Sequence, residues 1–227
     1  MFFFDPYFFI FIMPALIFVL YAQARVRAAF EQYSRVASSS RMTGREVARE
    51  ILNAAGLYDV EVERIAGDLG DHYDPRARAL RLSERVHDSY SLAALGVAAH
   101  EAGHALQHAG GYVFLTVRNS ILPVAQFGST WGIYMFFIGL IIPTFGWLMD
   151  LGILLFLAAV IFQVVTLPVE FNASARALAL LEGGGFITRE EVGPTRAVLN
   201  AAAMTYVAAT FMAIMQLLRL VMLRDRD

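Results

Sequence analysis

Four long apolar runs constrain this chain more than any other feature of its 227-residue sequence. They cover residues 6–21, 121–142, 151–167 and 197–218. About 20 apolar residues are enough for one helix to cross the hydrocarbon layer of a bilayer. With 58% hydrophobic residues and 18 phenylalanines, the chain is predicted to form a membrane bundle of about four helices. The last run is the most polar, so a partly embedded amphipathic helix stays an alternative to a full span there.

The distribution of arginine predicts how the bundle is oriented. No basic residue precedes the first run, so we expect a retained anchor rather than a cleavable signal peptide. Arg25 and Arg27 follow that run closely, which predicts that its C-terminal end is cytoplasmic. The link between the second and third runs has no basic residue and is predicted to be external, whereas Arg176 and Arg189, after the third run, are predicted to be internal. The tail contradicts this pattern, because four spans leave Arg219 and its neighbours outside.

Composition excludes two kinds of site. The formal net charge is −2 and no basic face stands out, so nucleic acid is not an expected partner. The chain has no cysteine, which excludes both disulfides and zinc sites made of thiolates. Any transition metal must therefore be held by histidine, aspartate or glutamate.

The polar part of the chain, residues 24–111, is predicted to be a small cytoplasmic α/β insertion. Thr43 and Glu46 have the spacing of a capping box, which predicts the start of a helix. Strands are predicted at residues 60–66 and 79–83, and the polar turn GDLGDHYDP between them predicts a hairpin.

A second helix of the insertion carries the stretch AAHEAGHALQH. Ser89 or Ser91 is predicted to cap this helix, and a pair of glycines ends it. His100 and His104 are about one helical turn apart, so both imidazoles can reach a single metal ion. Glu101 lies beside that face, where its carboxylate can take a proton from water instead of binding the metal. Chance would give an HExxH motif in about one such chain in a hundred or fewer.

A catalytic zinc site generally has three protein ligands and one open position. His108 continues the series, but it lies about 12 Å along the helix from His100, too far to share one ion. Glu170 has the best position among the acids, because Pro168 suits the first turn of a new helix where the third run ends. That position predicts that Glu170 is on the cytoplasmic side with the histidines. Weaker candidates for the third ligand are Glu182, Asp71, Asp74 and Asp88.

Segments from nearly the whole chain resemble the YugP-type membrane zinc metallopeptidases of bacteria. The segments are DHYDPRARALRLSE, SLAALGVAAHEAGHALQH, VEFNASARAL and VLNAAAMTYVAA. The resemblance implies a zinc peptidase whose ligands are His100, His104 and Glu170 and whose general base is Glu101. The more distantly similar HtpX-type peptidases have an aspartate four residues after the ligand glutamate, where this chain has Ser174. A serine hydroxyl accepts an imidazole N–H more weakly than a carboxylate does. The carboxylates that could supply the missing charge are Asp71, Asp74 and Asp88.

The resulting hypothesis is a membrane endopeptidase that uses one Zn²⁺ per chain and a glutamate base to activate water. The oxyanion of the transition state also needs a donor, for which the candidates are Arg176, His72, His87 and Tyr206. Strand 79–83 could bind an extended peptide by strand addition, or it could be a plain hairpin edge.

Glu170 lies within a few residues of the predicted membrane boundary, so the zinc is predicted near the cytoplasmic face of the bacterial inner membrane. The expected partners are the lipid bilayer and a peptide or membrane-protein substrate close to it, and the oligomeric state stays open. We therefore predict a mainly α integral membrane bundle, a single domain over residues 1–227, whose small α/β insertion carries the HExxH helix.

Two other functions stay open at this point. A site-2-type intramembrane protease requires the HExxH helix itself to span, which is costly for a helix with three histidines and a glutamate. A zinc-binding membrane scaffold that hydrolyses nothing is the second alternative, although such a protein has no use for Glu101 as a base.

Overall fold

The computed structural model describes residues 5–68 and 70–225, and it shows a mainly helical membrane protein with one small sheet. Four helical segments of these ranges are long and apolar enough to cross a membrane. They are a π-helical turn continuing into α1 (Phe8–Ile12, Met13–Tyr33), α5 (Val113–Ile141), α6 (Trp147–Gly183) and α7 (Arg189–Arg224). The prediction of a mainly helical membrane protein is confirmed. Each of the four helical segments is longer than the apolar run that predicted it.

The prediction of a new helix beginning at Pro168 is wrong, because α6 continues through this residue to Gly183. A proline inside a helix removes one backbone hydrogen bond, which long membrane helices tolerate when neighbouring groups compensate. The end of α6 at the triple glycine agrees with the sequence. The apolar run and the segment with Glu170 are therefore one continuous helix.

The chain forms two compact units. The membrane unit consists of Val113–Pro168, the N-terminal segment up to Gln23 and the C-terminal segment from Met204. The second unit, here called the site unit, consists of Ala24–Tyr112 and Val169–Ala203. Helices α1, α6 and α7 each contribute residues to both units, and the single-domain description of the whole chain stays a prediction.

In the membrane unit, helices α5 and α6 approach each other at glycines. A Cβ atom on Gly132 would lie 2.8 Å from the carbonyl oxygen of Gly152, and one on Gly128 would collide with the carbonyl of Leu155. Small residues allow backbones this close together, which is a common way for membrane helices to associate. The buried core of this unit consists of Phe136, Phe156, Val160, Leu220 and Leu223.

Ion pairs in the membrane unit involve two arginines near the end of α7. Arg219 Nη2 lies 2.6 Å from Asp5 Oδ2, and both side chains are largely buried. Arg224 Nε lies 2.9 Å from Asp150 Oδ1. Asp5 and Asp150 directly precede the first and third apolar runs. In the four-span topology, both of these runs begin on the outer side of the membrane, and α7 also ends there. Arg219 and Arg224, two of the charges that contradicted this topology, therefore pair with aspartates expected on that same side, while Arg226 lies outside the described residues.

The site unit is built around α4 (Leu92–Ala109), which lies outside the four apolar segments that could cross a membrane. The Ser91 hydroxyl accepts the Ala94 N–H at 3.2 Å, which confirms one of the two predicted caps of α4. α2 (Gly44–Ala54) packs against α4, and its predicted capping box is confirmed by reciprocal bonds between Thr43 and Glu46. The short α3 (Glu84–His87) completes the helices of this unit.

Three strands form the sheet of the site unit in the order β1-β3-β2. They are β1 (Glu61–Ile65), β2 (His72–Asp74) and β3 (Ala79–Ser83). β1 and β3 are parallel, whereas β2 and β3 are antiparallel. The predicted hairpin of the first and last strands is therefore wrong, because β2 lies in the segment predicted as a turn and pairs with β3. Strand addition to β3 is wrong as well, since β3 has a partner on both sides.

Candidate metal centre

The helix α4 presents His100 and His104 on one side, as their spacing predicts. Their ring centroids are 4.7 Å apart and the rings are nearly perpendicular. Both side chains are about one-eighth exposed, so they reach solvent only at their edges.

The carboxylate of Glu170 lies against both imidazoles. Glu170 Oε2 is 3.3 Å from His100 Nε2 and 3.6 Å from His104 Nε2, and only 3% of the Glu170 side chain is exposed. Helix α6 can approach α4 this closely because Gly103 has no side chain. A Cβ atom on Gly103 would lie 3.0 Å from the carbonyl oxygen of Ala173, three residues after Glu170.

The geometry of these three donors fits a small metal ion. One ligand atom from each residue lies within 4.8 Å of the other two. Donors about 2.0–2.2 Å from a tetrahedral ion are about 3.4 Å apart, close to the separations of 3.3 Å and 3.6 Å between Glu170 and the two histidines. His100, His104 and Glu170 could therefore hold one metal ion with a position left for another ligand.

The second nitrogen of each imidazole has a partner of its own. His100 Nδ1 is 3.1 Å from Ser174 Oγ, and His104 Nδ1 is 3.0 Å from Gln107 Oε1. Metal-binding histidines usually have such a partner on the nitrogen that does not bind the metal. The contacts leave both Nε2 atoms directed at Glu170.

Glu101 is 9% exposed, and its Oε2 accepts the backbone N–H of Tyr73 at 3.1 Å. Burial raises the pKa of the Glu101 carboxyl, and the nearby charges of His104 and His100 oppose this only in part. Burial alone would lower the pKa of His104, but the hydrogen bond that its imidazole donates to Glu170 and the charges of Glu101 and Glu170 raise it overall. A metal that binds His104 therefore competes with a proton for the imidazole.

The candidate oxyanion donors lie in different surroundings. His72 is exposed and its Nδ1 is 2.8 Å from the carbonyl oxygen of Gly70, while His87 Nδ1 is 2.6 Å from Asp88 Oδ1. Arg176 Nε donates to Asn172 Oδ1 at 2.8 Å. Tyr206 lies on α7 in the membrane unit.

The other acids considered as the third ligand have different partners or an exposed position. Asp71 accepts the backbone N–H of Ser83 at 2.7 Å, Asp74 accepts from Arg81 at 2.7 Å, and Asp88 bonds His87 and Arg64. Glu182 is exposed near the end of α6. Within the described residues, none of these hydrogen bonds goes to His100 or His104. His108, which geometry excludes as a ligand, has its Nδ1 3.0 Å from the Tyr73 hydroxyl.

Sequence reasoning missed two residues at this centre, Tyr73 and Gln107. Tyr73 could not be found, because its role depends on β2 lying beside α4. Gln107 left a signal that could have been used. It follows His104 by three residues, a spacing that puts both side chains on neighbouring positions of one helix face.

Comparison with known proteins agrees with this geometry. A family model described as "Putative neutral zinc metallopeptidase" matches residues 8–225. The chain is also 49% identical over 209 residues to a Bacillus subtilis protein named "Putative membrane protease YugP", which covers 91% of this chain and 92% of that protein. No solved structure gives a significant match.

Proposed function

Since this chain belongs to the family of neutral zinc metallopeptidases, we propose that it is a zinc-dependent membrane endopeptidase. Its substrates in this proposal are membrane proteins, or protein segments close to the membrane. The observation that carries the proposal is the convergence of His100 Nε2 and His104 Nε2 on one oxygen of Glu170.

Zinc is the metal that suits this centre best. Two imidazoles and one carboxylate are the protein ligands of a well-known class of catalytic zinc sites, which keep a fourth position open. Structural zinc sites usually have four protein ligands, whereas three donors converge in the described part of this chain. One zinc ion per chain would supply a Lewis acid that acidifies water and polarises the carbonyl of the scissile bond.

Glu101 is proposed to act as the general base and then as the general acid. Its Oε2 accepts the Tyr73 N–H, which leaves Oε1 to take a proton from the attacking water. The same oxygen can pass that proton to the leaving amine. Burial raises the pKa of this carboxyl, which makes it a stronger base than an exposed glutamate.

The edge of β2 is a suitable place for an extended peptide. β2 pairs with β3 on one side only, and the Tyr73 N–H points away from β3 to reach Glu101. A peptide that lies along this edge would pass beside the proposed base and bond to edge groups of β2 other than the Tyr73 N–H, which Glu101 occupies.

The proposed location is the inner membrane of a bacterium, with the centre on the cytoplasmic side. Support comes from the arginines that follow the first and third runs and from the neutralised charges of Arg219 and Arg224. Glu170 follows the apolar run 151–167 by three residues, so proteins near the membrane surface are the accessible substrates.

The variant Glu101→Gln tests the proposed function. We expect it to keep its zinc but to hydrolyse peptide bonds about 10²- to 10⁴-fold more slowly, since an amide cannot accept the proton. The measurement counts new protein N-termini by mass spectrometry in membranes that contain wild type or variant. Glu182→Gln, on the exposed end of α6, is the matched control and should behave as wild type. Equal numbers of new N-termini with Glu101→Gln and wild type would contradict proteolysis and favour the scaffold alternative.

A further inference from the structure

Gln107 is a fully buried polar residue of α4 that the proposed mechanism does not use. Its side chain nevertheless makes three hydrogen bonds. Oε1 lies 3.0 Å from His104 Nδ1, while Nε2 donates to the carbonyl oxygen of Val169 at 2.9 Å and to Asn172 Oδ1 at 3.0 Å. A buried amide satisfied in this way has one stable orientation.

The partners of Gln107 determine which end of the amide faces His104. The Val169 carbonyl can only accept a hydrogen bond, and Asn172 Oδ1 also accepts from Arg176 Nε. The NH₂ group must therefore face these two oxygens, and Oε1 must face the imidazole. Because Oε1 can only accept, His104 carries its hydrogen on Nδ1 and keeps the Nε2 lone pair for a metal.

Ser174 does not impose the same restriction on His100. A hydroxyl can donate to Nδ1 or accept from it, so the contact of 3.1 Å is compatible with either tautomer of His100. Gln107 is also the residue that joins α4 to the backbone directly before Glu170. A single side chain therefore controls both the tautomer of His104 and the position of α4 beside the carboxylate.

We propose that Gln107 is a positioning residue for the metal centre, which holds His104 in the tautomer whose Nε2 binds zinc. This inference rests on the proposed function, since it assigns a role at the same centre. Its basis is that the NH₂ group is fully occupied by two oxygens of α6, which leaves Oε1 for the histidine.

Two variants separate positioning of His104 from simple attachment of α4 to α6. Gln107→Met keeps the length of the side chain but has no acceptor for the His104 N–H. Gln107→Glu keeps an acceptor for that N–H but, like the methionine, loses the NH₂ bonds to Val169 and Asn172. Thr195→Val removes another fully buried polar group of the site unit and is the control for a general loss of buried hydrogen bonds.

The experiment measures zinc affinity of the detergent-purified full chain by competition with a chelator. We expect Gln107→Met to bind zinc about 10- to 100-fold more weakly, as is typical when the partner of a metal-binding histidine is removed. Gln107→Glu and Thr195→Val should stay within about threefold of wild type, because His104 keeps its acceptor in both. Thermal unfolding of the metal-free proteins should show a loss of stability in both Gln107 variants, larger in Gln107→Glu because its second carboxylate oxygen faces two acceptors.

Three results would overturn the inference. Equal losses of zinc affinity in Gln107→Met and Gln107→Glu would show that Gln107 only attaches α4 to α6. Wild-type affinity in Gln107→Met would show that His104 needs no partner, while the proposed zinc function would stand. A wild-type chain that binds no zinc would overturn the proposed function together with the inference.

Discussion

At the scale of single residues, the centre depends on how buried polar groups are satisfied. His100 and His104 each have one nitrogen held by a neighbour and one directed at Glu170. Glu101 is nearly as buried as Glu170, but its bond to the Tyr73 N–H keeps it beside the three donors rather than among them. Buried polar groups without partners are costly. In the proposed function, this arrangement separates the residues that bind the metal from the residue that transfers protons.

Asp71 gives a prediction for the dependence of stability on pH. Burial raises the pKa of its carboxyl, although bonds from the backbone and hydroxyl of Ser83 oppose the shift. Because the folded-state pKa is above the unfolded value, ionised Asp71 weakens the fold at neutral pH. This penalty disappears as the pH falls through the folded pKa towards the ordinary value of 3.8.

The variant Asp71→Asn keeps an oxygen for Ser83 but carries no charge. We expect its unfolding temperature to exceed that of wild type by about 2 °C at pH 7 and to equal it near pH 4. Asp68→Asn, on an exposed position nearby, should change little at either pH. An unfolding temperature that falls at pH 7 would contradict this account of Asp71.

At the scale of elements, α4 could be predicted more completely than the strands. Its capping serine, its terminal glycines and the spacing of its histidines are local features that a sequence displays directly. β2 has only three residues and pairs with β3 through contacts that no local pattern records. The parallel pairing of β1 with β3 is invisible for the same reason, since both strands have the pattern expected of a hairpin.

The contact between α4 and α6 at Gly103 gives a prediction at this scale. A methyl group on Gly103 would press against the backbone carbonyl of Ala173 and move the two helices apart. We expect Gly103→Ala to lose about 1–3 kcal/mol of stability and to bind zinc more weakly, because Glu170 moves with α6. Thermal unfolding and chelator competition measure these two effects.

Gly183→Ala is the matched control for this contact. It lies on α6, the other helix of this contact, at a position where an added methyl group meets nothing within 4 Å. Unchanged zinc affinity in Gly103→Ala would show that the close approach of the helices is not needed for the centre.

At the scale of the whole molecule, the order of apolar runs and charged segments predicted the membrane class and the number of candidate spans. It could not predict that α6 would continue through Pro168, because a proline after an apolar run equally suits the start of a helix. Nor could it account for the arginines at the end of α7. Asp5 and Asp150, which pair with Arg219 and Arg224, lie far away in sequence, and only the folded chain brings them together.

The four-span topology makes a prediction for the two ends of α7. We expect a fluorescent protein inserted at Gly184, between α6 and α7, to be fluorescent, because such proteins mature in the cytoplasm. Alkaline phosphatase fused after the C-terminus should be active, since it folds only outside the cytoplasm. The opposite result would be an inactive phosphatase at the C-terminus together with fluorescence from a fluorescent protein fused at that same end. It would show that the C-terminus is cytoplasmic and that the number of spans is odd.

The central claim is a zinc centre made of His100, His104 and Glu170, and metal content tests it most directly. The measurement is the ratio of zinc to protein, by mass spectrometry, in the detergent-purified chain and its variants. We expect about one zinc per wild-type chain, its loss in His104→Ala and Glu170→Ala, and its retention in Glu182→Ala, where the exposed glutamate of the same helix is removed. Zinc that survives Glu170→Ala, or is absent from the wild type, would contradict the account.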